Sequence, residues 1–254
     1  MKEMDRLVHI METLRGPGGC PWDAEQDHKT LLPSLLEEAY ELAEAIEKDD
    51  PEAMEEELGD VLLQVVFHSI IAEEDGDFTI SGVISKLAGK LVYRHPHVFG
   101  DAEVNDSSEV TVNWDRLKNG EQGKKERRSI ADGIPANLPS LLYALKLQTR
   151  ARRAGFDWNE SIEVIEKIRE EAGELESALS AGDLETAADE IGDLVFSAVN
   201  LARKIGADPE AAVRRANRRF AERFSYIEDA ARKHGISPTE MSMEEKERIW
   251  QKAK

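Results

Sequence analysis

The sequence predicts an all-α chain made of two tandem helical-bundle domains related by an internal repeat. Three observations carry this. Apolar residues recur at three-and-four spacing nearly throughout, which is the period of one helix face. Alternating apolar–polar strand patterns are scarce and aromatic residues make up only 6 % of the chain. An acidic pattern spread over two neighbouring helices occurs twice at a fixed offset, as a duplicated domain requires.

The elements follow in order. Met4, Leu7, Val8, Met11 and Leu14 line one face of a first helix, which Gly16-Pro17-Gly18-Gly19 breaks. Leu31 to Lys48 reads as a helix with Leu35, Leu36, Ala39, Leu42, Ala43 and Ile46 on its buried side. Asp50-Pro51 is an N-cap with proline at the first helical position, opening a helix to about Glu74. Ser81 to Tyr93 is another. Gly120, Gly123, Gly133, Pro135 and Pro139 with the run 124–128 mark a linker, which sets domains at 1–119 and 140–254 around a linker at 120–139. Helices then cover Leu141 to Arg153, Ser161 to Leu179 and Asp183 to Lys204. Asp208-Pro209 repeats the cap-and-proline start of a helix to about His234, and Ser242-Met243-Glu244-Glu245 is a capping box for a last helix carrying Trp250 and Lys254.

At 254 residues with 41 % hydrophobic content the chain can bury two small cores. No apolar run approaches the length of a membrane span. The acidic amphipathic start is neither signal nor transit peptide, and one cysteine, Cys20, excludes an internal disulfide framework. Both favour the cytoplasm. The net charge of −19 repels phosphate backbones, so no nucleic-acid partner is expected. Part of that acid excess is solvated surface, and part is concentrated for cations.

The concentrated part is the repeat. Glu37-Glu38-x-x-Glu41 is followed after fifteen residues by Glu57-Leu58-Gly59-Asp60. Glu170-Glu171-x-x-Glu174 is followed after fifteen residues by Glu190-Ile191-Gly192-Asp193, every acid lying 133 residues after its counterpart (Glu38 to Glu171, Glu57 to Glu190). Residues three or four apart share a helix face. Glu38 and Glu41 therefore point together, as do Glu57 and Asp60, and a short connection folds the two helices into an antiparallel hairpin. Gly59 and Gly192 interrupt helices at a cost of about 1 kcal/mol relative to alanine, which suggests close backbone approach, tight packing or room for a ligand.

Four carboxylates brought within several ångströms oppose folding. One pair at about 5 Å repels by roughly 3 kcal/mol at an effective dielectric near 20. A cation relieves this, and an all-carboxylate set with no His or Cys suits Mg²⁺, or Mn²⁺. Di-iron bundles use Glu-x-x-His, which is absent here.

Taken together, EExxE-x15-ExxD on two helices resembles the MazG nucleoside triphosphate pyrophosphohydrolases, in their tandem two-domain form. The segments 16–23 and 94–99, and Trp114-Asp115 with Lys118, are also similar to that family. The resemblance implies two MazG-like domains and conversion of a (deoxy)nucleoside triphosphate and water to the monophosphate and pyrophosphate, in nucleotide-pool house-cleaning. It implies Mg²⁺ ligands at Glu171, Glu174, Glu190 and Asp193, and at Glu38, Glu41, Glu57 and Asp60. The attacking water is expected to be activated by the metal, with Glu171 or Glu38 as general base. Nucleotide contacts are implied at Lys167, Glu170, Arg219, Arg223, Trp250, Lys254 and Lys118. The family forms homodimers whose paired helices complete each bundle, so a homodimer is expected.

Other residues carry bland readings. His9, His28, His68 and His234 are scattered without ligand spacing, and Arg94 to His97 reads as a structured helix exit. The competing functions are a non-enzymatic, acidic helical dimerisation protein and a metal-storage or redox bundle.

Overall fold

The computed structural model describes residues 2–104, 106, 109, 110, 113, 114, 117 and 129–253. The described residues are helix, turn and loop, with no strand among them. The chain divides into two compact units, Met1–Lys124 and Lys125–Lys254.

In the first unit, α1 (Lys2–Arg15), a short α2 (Pro21–Glu25), α3 (Leu32–Glu47), α4 (Pro51–Glu74), α5 (Ile80–Arg94) and a short α6 (Pro96–Phe99) follow in order. Asp50 caps α4 as its sequence requires, accepting from the backbone N–H of Glu52 and Ala53. Thr79 does the same for α5 through Gly82 N–H. The core lies between α1 and the C-terminal half of α4: Met11, Leu31, Val66, Phe67, Ile70 and Ile71 are buried, with Leu7, Val8 and Leu14 packed on them. Arg15 fastens the ends of these helices. Its Nη2 lies 2.6 Å from Glu74 Oε2, its Nη1 donates to the carbonyl of Gln26 at 3.1 Å, and its guanidinium sits 5.4 Å from the Phe67 ring centroid.

In the second unit, residues 129–139 form turns that belong to the packed body. Ile134 is buried, and Arg150 Nη1 donates to the carbonyls of Ile130 and Asp132. That half of the expected linker is therefore structure; the other half, 120–128, lies outside the described residues. Then come α7 (Ser140–Arg153), α8 (Ser161–Ala181), α9 (Leu184–Lys204) and α10 (Pro209–His234), a 3₁₀ turn at Pro238–Glu240 and α11 (Met243–Lys252). Asp208 caps α10 through Ala211 N–H, and Ser242 and Glu245 close the capping box of α11. Ile227, Ala231 and Met241 form a small core with Phe224, Ile249 and Trp250.

Each unit contains one antiparallel hairpin, α3–α4 in the first and α8–α9 in the second. Gly182 makes the second hairpin's turn with φ +72°. The residue 133 positions earlier, Asp49, takes the same left-handed conformation with φ +53°.

Candidate metal centres

The hairpins place the acids. Glu38 and Glu41 project from α3 and Glu57 from α4, and each offers one carboxylate oxygen within 4.8 Å of the other two. Glu171 and Glu174 on α8 and Glu190 on α9 repeat the arrangement within the same distance. Two trans ligands of a Mg²⁺ with bonds near 2.1 Å stand about 4.2 Å apart, so each trio fits one hard cation after small side-chain adjustments. The fourth expected ligands, Asp60 and Asp193, are not in these trios. They stand next to them, close enough for Asp60 to act on Glu38 and Glu57 and for Asp193 to act on Glu190.

Electrostatics separates the two centres. Partial burial, then the negative charges of Asp60, Glu41, Glu57 and Glu37, push the Glu38 carboxyl above its ordinary value. Burial and Glu41 do the same to Glu57, and burial with Glu174, Glu171 and Asp193 does so to Glu190. In each case burial is the larger cause and the charge of neighbouring carboxylates adds to it. Glu171 moves the opposite way. It is the most buried of the acids, at 4 % exposure, yet the hydrogen bond from Lys167 holds its carboxyl below the ordinary value. Lys167 Nζ lies 2.7 Å from Glu171 Oε1 and 2.8 Å from Glu170 Oε1, and these partners raise the lysine in turn. The first unit has Ser34 at the position corresponding to Lys167.

Gly59 and Gly192 face open space: a methyl group at either would meet nothing within 4 Å. Within the chain nothing packs closely on these glycines, which leaves room beside the acids. Leu58 and Ile191, next to them, are about half exposed rather than packed in the core.

The remaining expected contacts are distributed differently. Arg219 is exposed on α10. Arg223 places its guanidinium 5.7 Å from the Trp250 ring centroid, and Trp250 packs against Phe220 at 5.1 Å within the small core. Lys118 and Lys254 lie outside the described residues. Tertiary packing also joins residues that the sequence left scattered. His28 Nδ1 and His68 Nδ1 meet at 2.8 Å, and burial lowers His68. Their separation of 40 positions fits no local motif, so only the fold reveals the pair. In the 94–99 segment His95 packs edge-on to Trp114, whose ring lies 5.1 Å from the Arg94 guanidinium.

The chain is similar to known proteins. Residues 26–99 match the family model of the MazG nucleotide pyrophosphohydrolase domain, and residues 140–220 match that of phosphoribosyl-ATP pyrophosphohydrolase. The nucleoside triphosphate pyrophosphohydrolase/pyrophosphatase MazG of Thermotoga maritima is 47 % identical, over 98 % of this chain and 95 % of its own. The nucleoside triphosphate pyrophosphohydrolase of Escherichia coli K12 is 40 % identical, over 100 % and 98 %. The YabN protein of Bacillus subtilis is 44 % identical over 99 % of this chain, which spans 52 % of that longer protein. With the tandem acidic hairpins and full-length identity to two such relatives, the chain belongs to the MazG family of nucleotide pyrophosphohydrolases.

Proposed function

We propose that the protein hydrolyses nucleoside or deoxynucleoside triphosphates to the monophosphate and pyrophosphate with Mg²⁺, Mn²⁺ being a substitute of the same ligand preference. The observation that carries this is the pair of three-carboxylate clusters on duplicated hairpins, each of the size of one hard cation's ligand shell. The Thermotoga maritima and Escherichia coli relatives are named nucleoside triphosphate pyrophosphohydrolases.

Glu171, Glu174 and Glu190 would hold the cation in the second unit, with Asp193 beside them, and Glu38, Glu41, Glu57 and Asp60 in the first. When bound, Mg²⁺ supplies charge neutralisation of the triphosphate and polarisation of the phosphorus that is attacked. The chain's own residues do the rest. Glu171, or Glu38 at the corresponding place in the first unit, would accept the proton of the attacking water. Water's oxygen bonds to the α-phosphorus, the bond to the bridging oxygen breaks, and pyrophosphate leaves. Lys167, sharing its charge between Glu170 and Glu171, stands ready to meet a phosphate oxygen as a point charge. Arg219 and Arg223 supply forked donors for the same chain. Trp250, Lys254 and Lys118 complete the contacts that the family resemblance implies.

The protein works as a homodimer in this proposal. Leu36 and Tyr40 on α3 and Leu58, Leu62 and Val65 on α4 form an apolar surface left exposed by the hairpin. A two-helix hairpin with one bare apolar face completes a bundle by pairing with a second hairpin. No described helix is long and apolar enough to cross a membrane. The role proposed for this reaction is nucleotide-pool house-cleaning in the cytoplasm, a compartment in which the lone Cys20 stays a free thiol.

The test is product analysis on a panel of NTPs and dNTPs, with Mg²⁺ and with EDTA. Monophosphate and pyrophosphate in equal amounts, formed only with metal, are expected. Diphosphate and orthophosphate as products refute the proposed site of cleavage, and no turnover of any nucleotide refutes the hydrolase and favours a non-enzymatic dimerisation protein.

A further inference from the structure

His28 and His68 face each other end to end. Their Nδ1 atoms are 2.8 Å apart, their ring planes differ by 16° and their centroids lie 5.1 Å apart. Two five-membered rings reach that separation when they are set in line across one N–H···N bond. One Nδ1 therefore carries a proton and the other a lone pair. A metal ion between them needs room for two bonds of about 2.0–2.1 Å, which an in-line gap of 2.8 Å does not leave.

The two rings sit in different surroundings. His28 is exposed, in the segment between α2 and α3, and His68 is half-buried on α4. The Nε2 of His68 is enclosed and has no hydrogen-bond partner among the described residues. The same holds for Oε1 of Gln64, which lies one turn earlier on the same face of α4 and is 5 % exposed. A buried acceptor without a donor is costly. His68 can supply the donor only as its Nε2–H tautomer, which must then accept at Nδ1.

Protons decide the direction of the bond. While both rings are neutral it can run either way. Once His28 gains a proton, both of its nitrogens are donors. His68 then accepts at Nδ1 and turns an Nε2–H toward Gln64, so the pair holds one positive charge in a charge-assisted bond. A second proton, on His68, sets two N–H groups head on and the bond is lost. Burial, then His28, lowers His68 below its ordinary value of 6.5. The stability that the bond gives is therefore complete above pH 6.5 and lost as pH falls toward the folded-state value.

The other charged groups on the elements packed here are few. Arg15 of α1 is bound to Glu74 of α4 and to the carbonyl of Gln26. Asp27, next to His28, accepts from the backbone N–H of Lys29 and Thr30. The short α2 brings Asp23 and Glu25, and the first acids of α3 are Glu37 and Glu38.

We propose that His28 and His68 form a pH-sensitive latch, which fastens the segment entering α3 onto α4 while either imidazole is neutral and releases it when both are protonated. That segment ends at Leu31, 2 % exposed in the first core, and leads to Glu38 and Glu41. The latch acts on the first hairpin alone, because the corresponding positions of the second unit are Ser161 and Leu201.

Amide hydrogen exchange of the full-length protein, read by mass spectrometry at about pH 7.5 and about pH 5 and corrected for intrinsic rates, tests the latch. Exchange across residues 26–36 of wild type is expected to be at least tenfold faster at the lower pH, with residues 159–169 of the second unit as internal reference. His28→Ala, an exposed position whose truncation spares the core, is expected to exchange at the faster rate at both pH values. Glu38 and Glu57, whose carboxyls are raised, add a pH response that persists in this variant. Equal protection of wild type at the two pH values, or a response in His28→Ala as large as in wild type, overturns the proposal. Ring-nitrogen shifts of ¹⁵N-histidine-labelled protein are expected to show His68 as the Nε2–H tautomer once His28 is charged. A His68 that keeps its Nδ1 proton beside a charged His28 contradicts it.

Discussion

Lys167 Nζ lies 2.7 Å from Glu171 Oε1, and the corresponding position in the first unit is the uncharged Ser34. The second acid cluster thus carries its own cation, whereas the first leaves Glu38 crowded by four neighbouring acids. Lys167→Met removes the internal cation. The side chain is 32 % exposed and screened by solvent, so the loss is expected as a small fall of the unfolding midpoint in EDTA. Added Mg²⁺ then stabilises the variant more than the wild type. Thermal unfolding of both proteins with and without Mg²⁺ checks this, and an unchanged Mg²⁺ response contradicts it.

The turn of the first hairpin holds a second asymmetry. Asp49 takes φ +53° where its repeat counterpart Gly182 takes φ +72°. A side chain in the left-handed region is strained, and glycine relieves that strain at a smaller entropic cost in the unfolded chain. Asp49→Gly is expected to stabilise the first unit by about 0.5 kcal/mol, read as a higher denaturation midpoint. Gly182→Asp is expected to do the reverse in the second unit.

Asp157 gives the pH dependence. Burial alone would raise its carboxyl, but the hydrogen bond and charge of Arg203, with Lys204, outweigh burial and hold it below its ordinary value of 3.8. A carboxyl lowered by folding contributes stability that is present above pH 4 and lost as pH falls through the folded-state value. Asp157→Asn is therefore expected to cost about 1–3 kcal/mol at pH 7, because it leaves the buried Arg203 without its partner. The difference from wild type shrinks below pH 4. Urea unfolding at pH 7 and pH 3 reads both ends, and an equal cost at the two pH values rules out the ion pair as its source.

The exposed apolar face of α3–α4 is the expected dimer contact. Leu58→Glu with Leu62→Glu places charges on that face, away from the core of Val66 and Ile70. Sedimentation is expected to show a dimer for wild type and a monomer with unchanged helical content for the double variant. A dimer that survives both charges locates the contact elsewhere.

The sequence made the hairpins legible because their geometry is local. Capping by Asp50, Asp208 and Ser242, and the three-or-four spacing of Glu38 with Glu41 and Glu171 with Glu174, depend on neighbours within one or two turns. The pairing of Glu57 and Glu190 with them follows from the short connections. What local spacing does not fix is relative placement across packed helices. It left Asp60 and Asp193 beside the trios rather than in them. It also gave no sign that Gln148 would bury an unpaired oxygen against Phe196, that His28 would meet His68, or that residues 129–139 would pack onto α7. The short helices α2 and α6 escaped for another reason: four or five residues carry no readable period. The Lys167–Ser34 difference was in the sequence, but its meaning required seeing where the lysine points.

The two carboxylate clusters are proposed to bind Mg²⁺ and to carry out pyrophosphate release. The most direct measurement is the Mg²⁺-dependent release of pyrophosphate from the best triphosphate by wild type, Glu38→Gln, Glu171→Gln and the double variant. Loss of at least 100-fold in one single variant, and essentially complete loss in the double variant with its fold intact, is expected. A folded double variant that keeps the wild-type rate would contradict the account.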